Sequence, residues 1–186
     1  MAQRISYLLL AGLLAAAHPA LAQNLMAKAE SHMPAPHVVS PDVQSLTVTQ
    51  VLVRKSERRL YLLDHDEVVR QYPISLGDNP KGHKLYEGDE RTPEGDYVLD
   101  WRNPGSDFHR SIHISYPNAR DKELANAWGL DPGGSIMIHG LPNNAGDMAF
   151  AFAGLDWTDG CIAVNNKAID EIWQLVPDGT PIRILP

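Results

Sequence analysis

The sequence predicts a mainly β domain with short helices, and three observations predict it. From Leu46 onward, short runs of alternating apolar side chains recur between clusters of turn-forming residues. Sustained helical period occurs once near the end, where Ile169, Ile172, Trp173 and Val176 fall on one face. With 186 residues, 44% of them hydrophobic, the chain suits one globular domain with a core.

Taken in order, Leu46 to Arg54 alternates as a strand, and Ser56-Glu57-Arg58-Arg59 turns the chain. Leu60 to Leu63 is the next strand, His65-Asp66 the next turn, and Val68 to Leu76 the return, which together read as a meander of antiparallel hairpins. Gly77 to Gly95 holds four Gly and two Pro and is expected to be a long loop. Tyr97 to Trp101 and Ser111 to Ser115 read as strands, Asp121 to Trp128 as a short helix stopped by Gly129. Ser135 to Ile138 is a brief apolar strand delivering His139, and Leu141 to Asp156 is irregular or partly helical, with Met148, Phe150 and Phe152 available as a wall. Asn166 is expected to cap the helix that runs to Val176, because its short amide can accept from the first-turn N–H groups. Pro177-Asp178-Gly179 turns, and Pro181 to Leu185 closes the domain as a strand.

Residues 1–22 read as a cleaved export signal. Arg4 gives the positive start, Ile5 to Ala17 the apolar run, and Ala20-Leu21-Ala22 the small-x-small cleavage site. The run is short for a membrane span, which needs about 20 residues; the competing reading is an uncleaved N-terminal anchor. Residues 23–44, with Pro34, Pro36 and Pro41 and no sustained period, read as a linker, and 45–186 as the folded domain. The sequence thus implies an exported protein with no stable membrane anchor once the signal is removed.

Composition removes several classes. A net charge of −7 argues against nucleic-acid binding, and a single cysteine excludes a disulfide framework and Cys-rich zinc modules. His109 and His113 stand four apart, a metal spacing on a helix, but this segment reads as a strand, so no metal site is expected. Asp156 and Asp159 lack the other features of a glycosidase pair, and the Gly77–Gly95 loop lacks a phosphate-binding pattern.

An unpaired cysteine in an exported chain calls for a reason: an intermolecular disulfide, an inert buried thiol, or a nucleophile. A nucleophile needs a base, an orienter for the base, and donors for the oxyanion. His139 at a strand end supplies a rigidly mounted base, and Gly140 lets a substrate approach. Gly160 gives the turn before Cys161 its freedom, and the N–H groups of Gly160 and Cys161 are candidate oxyanion donors. The bland alternative makes His139 a core histidine and Cys161 a filler, and spacing alone does not separate the two.

These residues bring the chain to a known family. It resembles the YkuD-type L,D-transpeptidases, whose motif is a His-Gly, a spacer, then Ser/Thr-His-Gly-Cys. The likeness begins near Val51 and runs through Tyr72-Pro73-Ile74-Ser75-Leu76-Gly77, Lys84, Gly88-Asp89 and Arg91-Thr92-Pro93-Glu94-Gly95-Asp96-Tyr97, then His113-Ile114-Ser115-Tyr116-Pro117 and on to the end. The resemblance implies a β-sandwich-like catalytic domain in the periplasm or otherwise facing the cell wall. It implies that Cys161 attacks a peptide carbonyl with His139 as base and the Gly140 carbonyl orienting the imidazole. The partners implied are peptidoglycan stem peptides as donors and an amine acceptor: a stem peptide, a D-amino acid or a wall-attached protein. No metal or organic cofactor is implied. His113 and Tyr116 are candidate pocket residues, and Thr158, Asp159 and Gly160 frame the nucleophile. Lys84 and Arg91 are either attractants for an acidic stem peptide or members of a solvated loop.

Two departures bear on chemistry. Asp159 stands where the family usually has His, and Ala163 where it usually has Arg or Asn. A carboxylate beside a thiolate raises the thiol pKa and opposes activation unless a cation or hydrogen bonds offset it. The functional expectation is therefore an L,D-transpeptidase acting through a Cys161 thioester. Its alternatives are an L,D-carboxypeptidase or amidase using the same thioester, and a non-catalytic wall-binding module.

Overall fold

The computed structural model describes residues 46–186. The expected export signal (1–22) and linker (23–44) lie outside the described residues. Among the described residues, no helix is long and apolar enough to cross a membrane.

The domain is mainly β, as the sequence predicts. Eight strands form one curled sheet: β1 Gln50–Arg54, β2 Arg59–Asp64, β3 Glu67–Pro73, β4 Gly95–Asn103, β5 Ser111–Ile114, β6 Met137–His139, β7 Ile162–Ala163 and β8 Thr180–Leu185. Two α-helices, α1 Ala119–Ala127 and α2 Asn166–Leu175, and one 3-10 helix, Gly146–Phe152, complete it. The strand order is β3-β2-β1-β8-β4-β5-β6-β7.

The antiparallel meander holds for β1-β2-β3 and β4-β5-β6, with two corrections. β8 inserts between β1 and β4, pairing parallel with β1 (Val51 opposite Ile182) and antiparallel with β4 (Tyr97 opposite Ile182). β7, too short to signal itself in the sequence, pairs parallel with β6, His139 opposite Ala163. β4 pairs with β8 along Gly95–Leu99 and with β5 from Leu99 to Asn103, and the register with β5 shifts between Leu99 and Arg102. Such a shift bends a strand and increases its twist, which curls the sheet.

Curling brings the sheet's two ends together. Ser75, just past β3, exchanges both backbone hydrogen bonds with Ala163 of β7 at 2.9 Å, and Gly77 forms a parallel bridge with Thr158. Asp156 reinforces this seam. It accepts a fork of bonds from Arg58 (2.6–3.0 Å) and one from the Leu76 N–H (3.0 Å).

The core lies on one face of the sheet. Alternate residues point inward: Val51 and Val53, Leu60 and Leu62, Ile112 and Ile114, Ile182 and Ile184, with single contributions from Ile138 and Ile162. α2 lays Ala168, Ile169, Ile172 and Leu175 into the same cluster. Each large aliphatic side chain among these, fully buried, contributes about 1.5–3 kcal/mol. The cap of α2 is Asn165, whose side chain accepts from the Ala168 N–H at 2.8 Å. The expected cap, Asn166, is the first helical residue, and its side chain instead accepts from the Leu141 N–H.

The Gly77–Gly95 loop is fixed by two buried lysines. Lys55 donates to the Gly82 and Thr92 carbonyls and to Glu94, at 2.6–2.9 Å. Lys84 is paired with Asp89 at 2.9 Å, both side chains almost fully buried. Lys84 is therefore unavailable as an attractant for an acidic peptide. Asp89 also accepts from the Leu85, Tyr86 and Arg91 N–H groups, which closes the loop on itself. The loop then presses its carbonyls onto the seam: a Cβ on Gly77 would sit 1.9 Å from the Glu90 oxygen, and one on Gly160 2.6 Å from the Arg91 oxygen. Gly160 also has φ +126°, a conformation few other residues tolerate. Gly77→Ala is expected to destabilise the domain by at least about 1–3 kcal/mol, the usual range for overpacking, measured by urea denaturation.

Candidate active site

The β6–β7 pairing builds the site. Because His139 lies opposite Ala163 in a parallel register, Cys161, two residues before Ala163, is the diagonal neighbour of His139 across the ladder. Ile138 and Ile162, the residues between, point the other way into the core. Alternation thus sends the apolar residues of both strands inward and the imidazole to the opposite side, where Cys161 also lies along one cavity wall.

That cavity holds about 370 Å³ and is lined by His139, Cys161, Met137, Ser135, Phe108, Trp157, Asp107 and Asp159 among others. His139 is 4% exposed. Its Nδ1 lies 2.7 Å from the Gly140 carbonyl, an acceptor, so Nδ1 carries the proton and Nε2 is left as the basic nitrogen. Aromatic rings hold the imidazole in place: Phe108 at 4.6 Å and Trp157 at 5.6 Å between centroids, with Phe152 packed 5.0 Å from Trp157. Trp157 is a half-buried cavity wall, and among the described residues its buried indole N–H has no partner. Phe152 supports that wall, while Met148 and Phe150 are largely exposed.

The Cys161 sulfur accepts from the Met137 N–H at 3.4 Å and faces the Ser135 carbonyl at 3.6 Å. Burial pushes the thiol pKa up, the Met137 N–H opposes this, Asp159 pushes it further up and Lys84 opposes Asp159. Burial also pushes the His139 pKa below its ordinary value, against the pull of the Gly140 carbonyl. Both shifts act in the direction of the uncharged forms, a neutral thiol and a neutral imidazole.

The remaining candidates separate. Thr158 is buried, donates to the Cys161 carbonyl at 2.8 Å and accepts from the Gly160 N–H at 3.2 Å. It shapes the turn, and its hydroxyl is the partner of the Gly160 N–H. Asp159 is exposed at the cavity wall. Ala163 is buried and lines a second cavity of about 230 Å³ on the other side of Trp157. Tyr116 lies in the core, 3% exposed, with its hydroxyl on the Pro132 carbonyl, and does not line the cysteine cavity. His113 stacks on Trp101 at 4.8 Å and contacts Asp100 at 2.6 Å, also away from the cavity. His109 contacts Asp170 at 2.9 Å, so the two histidines four apart have separate partners. Among the described residues, no three His, Cys, Asp or Glu side chains gather as a metal site.

Asp107 and Phe108 were not legible in the sequence as site residues. They reach the cavity because the chain between β4 and β5 folds over it, with the Phe108 carbonyl accepting from the Gly140 N–H at 3.0 Å. No local motif marks such an approach.

Comparison with known proteins gives a consistent family. Residues 49–184 match the YkuD family model, the L,D-transpeptidase catalytic domain. A protein of Escherichia coli named putative L,D-transpeptidase YafK is 32% identical over 133 residues, covering 68% of this chain and 46% of that protein. The putative L,D-transpeptidase YkuD of Bacillus licheniformis is 28% identical over 139 residues, covering 74% and 66%. Among solved structures, the helical cell shape determining protein Pgp2 of Campylobacter jejuni superposes with a TM-score of 0.56 at 29% identity, covering 74% of this chain and 47% of that one. The chain therefore spans about half the length of YafK and Pgp2.

Because Asp159 opposes ionisation of Cys161, Asp159→Asn is expected to move the pH midpoint of Cys161 alkylation downward. Iodoacetamide labelling rates across the thiol titration check it, and an unmoved midpoint would remove Asp159 from the electrostatics of the thiol.

Proposed function

Since the chain belongs to the YkuD family of L,D-transpeptidase catalytic domains, we propose that it is an exported cysteine acyltransferase acting on peptidoglycan stem peptides. The observation that carries this reading is the geometry of one cavity. The only cysteine of the chain and a buried histidine share it, and the histidine is fixed with its basic nitrogen free of the Gly140 carbonyl.

On this reading, His139 Nε2 takes the proton from Cys161 as the sulfur adds to the peptide carbonyl. The imidazolium so formed, stabilised through Nδ1 by the Gly140 carbonyl, returns that proton to the departing amine as the tetrahedral intermediate collapses to a thioester. An acceptor amine then attacks the thioester, His139 accepts its proton, and the thiol is regenerated on release of the new amide. Water in place of the amine gives hydrolysis by the same steps. Gly140 acts as a positioning residue, and the Met137 N–H, aimed at the sulfur, stabilises it as charge develops. No step needs a metal or organic cofactor. Export through residues 1–22 and a wall-facing location are part of the same proposal.

The test is a mass-spectrometric product assay on disaccharide-tetrapeptide with an added D-amino acid. Cys161-dependent exchanged or cross-linked peptide is the expected result, and tripeptide alone would move the assignment to hydrolysis. Cys161→Ala and His139→Ala are each expected to lower turnover by about a thousandfold or more. Unchanged turnover in Cys161→Ala would overturn the mechanism. Because burial lowers the His139 pKa, the acid limb of the rate profile is expected to lie below the ordinary imidazole value of about 6.5.

A further inference from the structure

We propose that Asp107 and Asp159 make the Cys161 cavity selective for a positively charged amine, so that these two carboxylates decide which substrate group is admitted beside the nucleophile. The inference rests on the cysteine reading above and specifies what that cavity takes.

Three features of the lining carry it. First, Asp107 and Asp159 line the cavity, and among the described residues no lysine or arginine does. Both carboxylates are exposed, and among the described residues neither belongs to an ion pair. Second, the other ionisable groups around the cavity do not cancel them. Burial pushes the His139 pKa down, away from the charged form, and Lys84, whose charge reaches Cys161, is locked in its own buried pair with Asp89. Third, Phe108 and Trp157, with ring centroids 6.0 Å apart, line the same space. Aromatic faces attract cations, most strongly where water is excluded.

The charge acts over the whole cavity. A space of 370 Å³ is about one Debye length across at physiological salt, so a group inside it lies within range of both carboxylates. An ammonium finds the two carboxylates as acceptors for its N–H bonds. A carboxylate finds like charge. An ammonium held there must lose one proton to become an attacking amine, and the imidazole of His139 is the group that can take that proton.

The chain has one cysteine, so charged thiol reagents report on this cavity alone and need no turnover. Three methanethiosulfonates serve as probes, carrying a trimethylammonioethyl, a methyl or a sulfonatoethyl group. In each, the Cys161 thiolate attacks the sulfenyl sulfur, a disulfide forms, and methanesulfinate leaves with the bonding pair. Rates are divided by those of the same reagents with 2-mercaptoethanol, and the ratio of cationic to anionic reagent cancels any change in thiolate fraction. In the wild-type protein this normalised ratio is expected to be about tenfold or more, falling as salt is raised. Asp107→Asn and Asp159→Asn should each lower it several-fold, and the double variant should bring it near one. A wild-type ratio near one, or a ratio that survives the double substitution or high salt, would overturn the proposal. Because the salt series uses the unaltered protein, it holds even if a variant folds poorly. No modification of Cys161 by any reagent would overturn this selectivity and the nucleophile reading together. Selectivity without any Cys161-dependent wall-peptide product would sink the acyltransferase reading and leave the amine preference standing.

Discussion

The parallel pairing of β6 with β7 is the constraint on which the rest of the structure depends. It spans only two residue pairs, Ile138 with Ile162 and His139 with Ala163. Two pairs cannot hold a strand by themselves, so β7 is secured from its other side by Ser75 and through Thr158 by Gly77. The seam draws in Asp156 with Arg58, and the loop carbonyls of Glu90 and Arg91 press on Gly77 and Gly160. Two buried lysines fix that loop in turn. Elements remote from Cys161 in sequence thus act together to keep the backbone that leads into the cysteine in one register against His139.

Burial has chemical as well as mechanical consequences here. The same close packing that excludes water from His139 lowers its pKa, and the same enclosure raises that of Cys161. A thiolate–imidazolium pair would place two charges in this environment and need their mutual attraction to exceed the desolvation cost of both. The neutral pair avoids that cost at rest. On the proposed mechanism, charge separation is deferred to the moment of attack, when the Gly140 carbonyl and Met137 N–H are already oriented toward the groups on which charge appears.

Much of this was legible in the sequence because it depends on local pattern. Alternation marked the strands that pack the core, and the two-residue His139-Gly140 step and the Gly160-Cys161 step marked the candidate site. What escaped depends on contacts between distant segments. β7 is too short to show a period, and its partner is parallel, so no hairpin turn announces it. Asn165 and Asn166 are equivalent by helix-cap preference, and only the demand of the Leu141 N–H for an acceptor separates them. Lys84 read as a surface charge because its partner, Asp89, lies across a loop whose closure the sequence does not state. His113 and Tyr116 sit on or beside β5 as expected, but the sheet turns one toward Trp101 and the other into the core.

The carboxylate at 159 looks like a defect only if the thiolate is the resting state. On the proposed mechanism both partners start neutral, and the relevant comparison is between that state and the transition state of thiol addition. There the negative charge is moving from sulfur onto the substrate oxygen, and the positive charge is accumulating on His139. Asp107 and Asp159 line the cavity into which that imidazolium faces, so they repel the first charge and attract the second. The net effect on rate is the difference of two opposed terms, set by which charge lies closer to each carboxylate. When the acceptor is itself cationic, a third term enters and its sign is fixed: both carboxylates draw the acceptor in. On the proposed mechanism, an acidic cavity around a neutral Cys–His pair therefore costs something in the first half-reaction, and it favours an amine over water in the second.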